Sequence, residues 1–382
     1  MPVRCATYAV LVASVLAAAS ASACHDRDAN RGGVSSTRGT APRAISSSAA
    51  AGKGLSASDN DPNVVALATG ARACPWDSPS PPGGLSQECP EALAWRDASQ
   101  GLAQGQGDVT LVNMLEDGDE RVRWLAASKL HAAGRRFRLE KPLADRVVTA
   151  GERETSLRVG AAIGLALADI DLDKTSTFDR IRAMGVKHAL APLRVALIAN
   201  LAWRNPRSNG AYELTRAMVR DDDKDVRLAA IEAFWMGGGK RPDDTCQIWR
   251  DNLDNPLDED VAAHASELLA RFGRCQEQYG ALLDSEEHRV KGAEVAKPEH
   301  ASALGYLCQD PKASHDQMDR ATTVLHRMAE LRALDAFVRG AALAAMLECD
   351  PAGGRAYVKK FADDDQQQVK EIATALLKPR SR

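Results

Sequence analysis

The sequence predicts an all-α fold built from repeated helical hairpins, and three observations carry that reading. Only 4% of the 382 residues are aromatic while 45% are hydrophobic and alanine is abundant, a balance that suits closely packed helices better than sheets. One segment type then recurs eight times. The copies begin at Val122, Leu157, Leu193, Val226, Val261, Lys297, Val338 and Val369, at spacings of 35, 36, 33, 35, 36, 41 and 31 residues. Finally, each copy follows a second stretch with apolar residues at three-to-four spacing, such as DVTLVNMLED, AYELTRAMVRDD and CQIWRDNLDN. The unit is helix A, a short polar turn, and helix B. Hairpins repeated at this period stack into an α-solenoid, because one pair alone cannot bury its apolar face.

The columns of the repeat have physical meaning. Position five reads Ala126, Ala161, Leu197, Ala230, Ala265, Ala301, Ala342 and Ala373; a small residue is needed where a neighbouring helix crosses close to the backbone. Position nine reads Leu130, Leu165, Leu201, Phe234, Leu269, Gly305, Met346 and Leu377, an apolar position broken once by glycine. Position two reads Arg123, Arg158, Arg194, Arg227, Ala262, Pro298, Arg339 and Lys370. Its arginines are expected to pair with an aspartate of a neighbouring unit and form a ladder. The sixth unit, with Pro298 and Gly305, is the divergent one.

An aspartate-rich turn followed by Val-Arg, Ala-Ala and a later leucine resembles HEAT repeats, including the HEAT-like subgroup first associated with phycobilisome lyases. The resemblance covers about residues 103–380. It implies a right-handed α-α superhelix of about eight helical-hairpin repeats, whose B helices line a concave face used to hold protein partners. It implies no particular chemistry, since scaffolds, transport receptors and lyases share the fold.

The N-terminus reads as an address. MPVRCATYAVLVASVLAAASASAC has one basic residue, Arg4, then an apolar run too short to span a bilayer, then a small-residue cleavage site, so residues 1–23 are expected to be a signal peptide. The segment resembles a bacterial lipoprotein signal with Cys24 as the lipidated residue. Ala21 stands where that pattern usually has leucine, and Ala-x-Ala also fits ordinary cleavage with Cys24 as an unmodified first residue. Cysteine parity favours lipidation: cleavage leaves seven cysteines, and using Cys24 leaves six that can pair. Residues 24–62 lack periodicity and large apolar residues and are expected to form a disordered tether. Residues 63–102 form an N-terminal cap segment around Cys74 and Cys89, and residues 103–382 the repeats.

Cys74 and Cys89 flank a proline-rich loop and are expected to bridge. Cys246 starts helix A of the fifth unit and Cys275 lies just past its helix B, so the two ends of one hairpin are neighbours. Cys308 and Cys349 share position twelve of consecutive B helices, where a bridge requires local close approach.

The acidic turns, Asp117-Gly118-Asp119-Glu120, Asp221-Asp222-Asp223 with Asp225, Asp258-Glu259-Asp260 and Asp363-Asp364-Asp365, recur at the repeat period and read as helix N-terminal caps. No EF-hand spacing accompanies them. His288, His300, His315 and His326 match no short metal motif and read as surface histidines. Neither a Cys-x-x-Cys pair, a phosphate loop nor a nucleophile elbow occurs, and Gly237-Gly238-Gly239-Lys240 reads as a helix end. No catalytic residue, metal or cofactor is therefore expected. Residues 25–58 carry a net +3 and residues 59–382 a net −7; an acidic folded part argues against nucleic acid.

The expectation is a cell-envelope scaffold or adaptor, lipid-anchored on the periplasmic or surface side of a bacterial membrane, that binds a protein partner without catalysis. A lyase-like enzyme or maturation factor on the same fold is the alternative, and a soluble periplasmic or secreted form is the alternative location. Candidate partner-binding residues are Trp124, Lys129, His131, Trp203, Trp235 and Trp249, because exposed aromatics anchor interfaces.

Overall fold

The computed structural model describes residues 60–378 except 80–82, 101, 103–105, 134–138, 140, 171–176, 205–207, 238–240, 255–257 and 296. The expected signal peptide, Cys24 and nearly all of the expected tether lie outside the described residues. Among the described residues the chain is all-α, with one isolated antiparallel bridge between Trp76 and Leu85 and no strand. No described helix is long and apolar enough to cross a membrane.

Among the described residues eighteen α-helices follow one another: α1 (Pro62–Gly70), α2 (Pro90–Gln100), α3 (Gln106–Met114), α4 (Glu120–Ala133), α5 (Lys141–Arg153), α6 (Leu157–Leu167), α7 (Phe178–Lys187), α8 (Ala191–Arg204) and α9 (Asn209–Met218). Next come α10 (Lys224–Gly237), α11 (Pro242–Arg250), α12 (Glu259–Arg271), α13 (Tyr279–Gly292), α14 (Pro298–Gln309), α15 (His315–Glu330), α16 (Ala336–Cys349), α17 (Gly354–Lys359) and α18 (Gln367–Leu377). Each recurring segment found in the sequence falls on an even-numbered helix from α4 to α18.

The chain divides into two compact units, the first holding the described residues up to 170 with 177–184 and 188–197, the second chiefly Ile198 onward. In the first unit, α4 packs on α6, α3 on α5, and α3 on α4 within its hairpin. In the second, α10, α12, α14, α16 and α18 pack each on the next, α13 packs on α15, and α9 and α11 pack on the following B helix.

The column meanings hold at atomic level. All eight residues at position five are at most 5% exposed, so the alanines sit where a larger side chain would push helices apart. Position nine is buried in six units, while Leu165 and Leu377 are half-buried. Gly305 explains the divergent sixth unit. A Cβ there would stand 3.1 Å from the Ala345 Cβ on α16, so glycine lets α14 and α16 come close enough for Cys308 and Cys349 to bridge, with their Cα atoms 4.9 Å apart.

The acidic turns act as caps. The Asp223 carboxylate accepts from the Asp225 and Val226 amides at 3.0 and 3.2 Å, Asp258 from Asp260 at 3.0 Å, Asp119 from Arg121 at 2.8 Å and Asp364 from Gln366 at 2.9 Å. Each supplies an acceptor to a helix start that has no intrahelical one. The arginine ladder is present as well. Arg123 donates to Glu154 at 2.9 and 3.0 Å, Arg227 to Asp258 at 2.7 Å, and Arg339 to Asp364 at 2.6 and 3.1 Å, each acid belonging to the turn before the next B helix. Arg123 and Arg227 also donate to the carbonyls of their own turns, at Asp117, Gly118, Asp221 and Asp222.

Among the described residues there are three disulfides: Cys74–Cys89, Cys246–Cys275 and Cys308–Cys349. They mark the chain as one suited to an oxidising, extracytoplasmic environment. With sequence separations of 15, 29 and 41 residues, each is worth about 3–4 kcal/mol in the chain-entropy account.

Candidate functional site

The ladder breaks once inside the second unit, and the break builds a dense cluster of buried and half-buried charges. Position two of the fifth and sixth units is Ala262 and Pro298, so no arginine follows the Asp258-Glu259-Asp260 turn from its own B helix. Cations come instead from the next hairpin. Arg289 of α13 donates to both Glu259 oxygens, at 2.9 and 3.1 Å, and to the Leu253 carbonyl. His300 of α14 sets Nε2 2.8 Å from Glu259 Oε1 and Nδ1 2.8 Å from Glu286 Oε1. Ser266 of α12 donates to that same Glu286 oxygen at 2.9 Å.

His300, Glu286 and Ser266 are fully buried. With a carboxylate against each ring nitrogen, both must be donors, so His300 is an imidazolium. Burial works against that charge, but the Glu286 field and the hydrogen bonds to Glu259 and Glu286 outweigh it and raise the pKa to about 9. Burial likewise acts to raise the Glu259 carboxyl, yet the His300 hydrogen bond and the charges of His300 and Arg289 hold it below the ordinary range. The histidine expected at the surface is therefore a buried tie between α12, α13 and α14. Its nitrogens hold protons between two carboxylates and offer no lone pair for proton abstraction or metal ligation, and the Ser266 hydroxyl is engaged by Glu286 rather than activated by the histidine.

Above this tie lies an open groove of about 900 Å³ lined by Asp251, Asp254, Asp258, Glu259, Asp284 and Arg289, among others. Most of its carboxylates already have internal partners: Asp258 has Arg227, Asp284 has Arg320 at 2.7 Å, and Asp254 accepts from Ser285 at 2.5 Å. It is an ion-paired seam with a solvent-facing acidic lip.

The candidate partner-binding residues separate. In the first unit, Trp124 is half-buried under the N-terminal loop, its ring edge-on to Trp76 with centroids 6.0 Å apart. A Cβ on Gly84 would stand 2.9 Å from Trp124, so glycine lets the loop lie on the indole. Arg158 fixes that loop by donating to the Ser78, Pro79 and Gly83 carbonyls at 2.7, 2.7 and 3.0 Å and by lying 4.7 Å from the Trp76 centroid. Lys129 is half-buried. His131, expected to point outward, is corrected: its side chain is 12% exposed and paired with Asp169 at 3.0 Å.

In the second unit, Trp249 is a further correction. It is fully buried, donates Nε1–H to the Ile231 carbonyl at 3.2 Å and packs edge-on against Phe272; a tryptophan on helix A beside Cys246 sits between the helix layers. The Trp203 side chain, at the end of α8, lies outside the described residues. Trp235 is half-buried and open on one side, with Phe272 at its edge, centroids 5.9 Å apart, and the Arg271 guanidinium 5.0 Å from its ring centroid.

Sequence reasoning missed His300, Glu286 and Arg289. A signal existed, since the two units with no basic residue at position two are the two with histidine at position four, His264 and His300. No family model matches the chain, and no curated protein is significantly similar to it.

Proposed function

We propose that the chain is an adaptor that binds a protein partner on the row of its B helices, and that these hairpins continue as a HEAT-like solenoid of about eight repeats. The observation that carries this reading is the direct packing of α10, α12, α14, α16 and α18 each on the next, which lines up one flank of successive helices as a single surface. The half-exposed Glu232, Trp235, Glu299 and Tyr306 lie on that flank, and large amphipathic side chains such as tryptophan and tyrosine are those that anchor interfaces. The three disulfides support export, and the sequence before residue 60 supports a signal peptide, lipidation at Cys24 and a tether holding the adaptor to the periplasmic or outer side of a bacterial membrane.

Photo-crosslinking in intact cells tests the adaptor reading. A cross-linker placed at Trp235 or Tyr306 should trap a discrete protein, and one at buried Trp249 should not; trapping nothing from the whole B-helix row would end the reading. The anchor has a separate test. Metabolic labelling with a fatty acid should mark the wild type and miss Cys24→Ser, and equal labelling of both would remove the anchor.

A further inference from the structure

Across α10, α12 and α14 the B-helix row is organised in three rungs. Near the helix starts, Asp260 lies between Lys224 and Lys297, 2.6 Å from the latter. In the middle, His264 faces Glu232 at 3.3 Å. Near the helix ends, the Arg271 guanidinium lies between Trp235 and Tyr306, 5.0 and 5.8 Å from the two ring centroids.

Two acids of this row, Glu267 and Glu299, hold buried oxygens without donors. Glu267 is 4% exposed, yet its Oε1 accepts no hydrogen bond, and the nearest cation, Arg271, stands 3.8 Å away. Glu299 of the neighbouring helix also holds a buried oxygen, Oε2, with no hydrogen-bond partner. Burial, reinforced by the charges of Glu299 and Glu232, pushes the Glu267 carboxyl up against the pull of Arg271 and His264. Buried carboxylate oxygens without donors are costly, and natural proteins retain few of them without a reason. The missing chemistry is a cation rich in N–H donors. The two aromatic rings already flanking a guanidinium specify which one, because a planar guanidinium stacks on aromatic faces while presenting several donors in its plane, which an ammonium cannot do.

We infer that Trp235 and Tyr306, beside the buried Glu267 carboxylate, form a recognition site for an arginine side chain in a basic segment of the partner protein. Arg271, whose side chain is 42% exposed, occupies the bracket in the free chain and swings into solvent when the partner's arginine enters. The incoming guanidinium then stacks between the two rings and supplies the N–H donor that Glu267 Oε1 lacks. The inference rests on the adaptor reading for the existence of a partner and adds the chemistry that the partner must carry.

Fluorescence anisotropy with a labelled peptide of alternating arginine and serine, titrated with the full chain, tests it. The wild type should bind the arginine peptide more tightly than the matched lysine peptide. Trp235→Ala and Glu267→Gln should each weaken binding about tenfold, the loss expected for one desolvated cation–aromatic or charged contact. Arg271→Ala empties the bracket and should tighten binding several-fold, whereas Arg250→Ala, the same charge change on the exposed rim of the acidic groove, should leave it unchanged. Arg271 is on the surface, so this variant carries the test if Trp235→Ala fails to fold. Equal binding of the two peptides, equal gains from Arg271→Ala and Arg250→Ala, or no binding at all would overturn the inference. A partner cross-linked from the B-helix row without peptide binding would leave the adaptor reading standing and sink this one; peptide binding in the expected pattern with nothing trapped in cells would do the reverse.

Discussion

Two neighbouring junctions of the second unit carry the same load by opposite means. Between α10 and α12, Arg227 reaches forward along the row to Asp258. Between α12 and α14, Ala262 leaves that place without a cation, and Arg289 and His300 reach back to Glu259 from the following hairpin. What persists is a cation for each buried turn carboxylate, whichever helix supplies it. What differs is the kind of commitment: Arg227 serves one buried acid and two carbonyls of its own turn, whereas His300 is fully buried and shared between two carboxylates of different helices. A repeat protein can therefore lose its signature residue in one copy when a neighbouring copy restores charge pairing.

Breaking the deeper junction should have the largest effect. His300→Ala leaves Glu286 and Glu259 facing each other across a void without their shared cation, and should cost about 3–5 kcal/mol, as expected when one partner of a buried ion pair is removed. The fall in the urea midpoint measures it, and an unchanged midpoint would refute the buried tie. Arg227→Ala should cost less, about 2–3 kcal/mol, because it leaves one acid without its cation rather than two and removes charge-assisted hydrogen bonds of that size; a cost above that of His300→Ala would reverse the comparison.

Titration sharpens the contrast. His300 is raised in the folded chain to about 9 from an ordinary value of about 6.5, so its stabilising contribution is fully present below the ordinary value and is lost as pH rises through about 9. Urea midpoints measured from pH 7 to 10 should fall in the wild type and fall less in His300→Gln. Arg227 stays charged over that range, so Arg227→Ala should keep the wild-type slope. The smallest effect belongs to the caps: Asp223→Ala should cost about 1 kcal/mol, and a change in binding without a change in stability would mean that the turn does more than cap.

Much of this was legible in the sequence, for reasons that particular residues show. Ala126, Ala230 and Ala301 could be read as packing positions because close helix crossing admits one residue type and recurs at the repeat period. The Arg123, Arg227 and Arg339 ladder was legible because both partners recur. Cys308 and Cys349 could be paired by their shared column, though the glycine enabling their approach looked like a defect. Features unique to one copy were harder to read. His300 resembled a surface histidine because its carboxylates, Glu259 and Glu286, lie 41 and 14 residues away in sequence. Trp249 was misplaced because periodicity alone does not say which side of helix A faces helix B, and Arg271 became informative only once Trp235 and Tyr306 were seen on either side of it.

The two cross-links of the second unit also have a mechanical consequence. Cys246–Cys275 and Cys308–Cys349 enclose separations of 29 and 41 residues, so a chain pulled from its ends cannot pay out those segments even after every helix has melted. The concealed contour is about 100 Å and about 140 Å at 3.3–3.6 Å per extended residue. Reduction releases it, so the oxidation state of this chain can be read as a difference in its length at full extension.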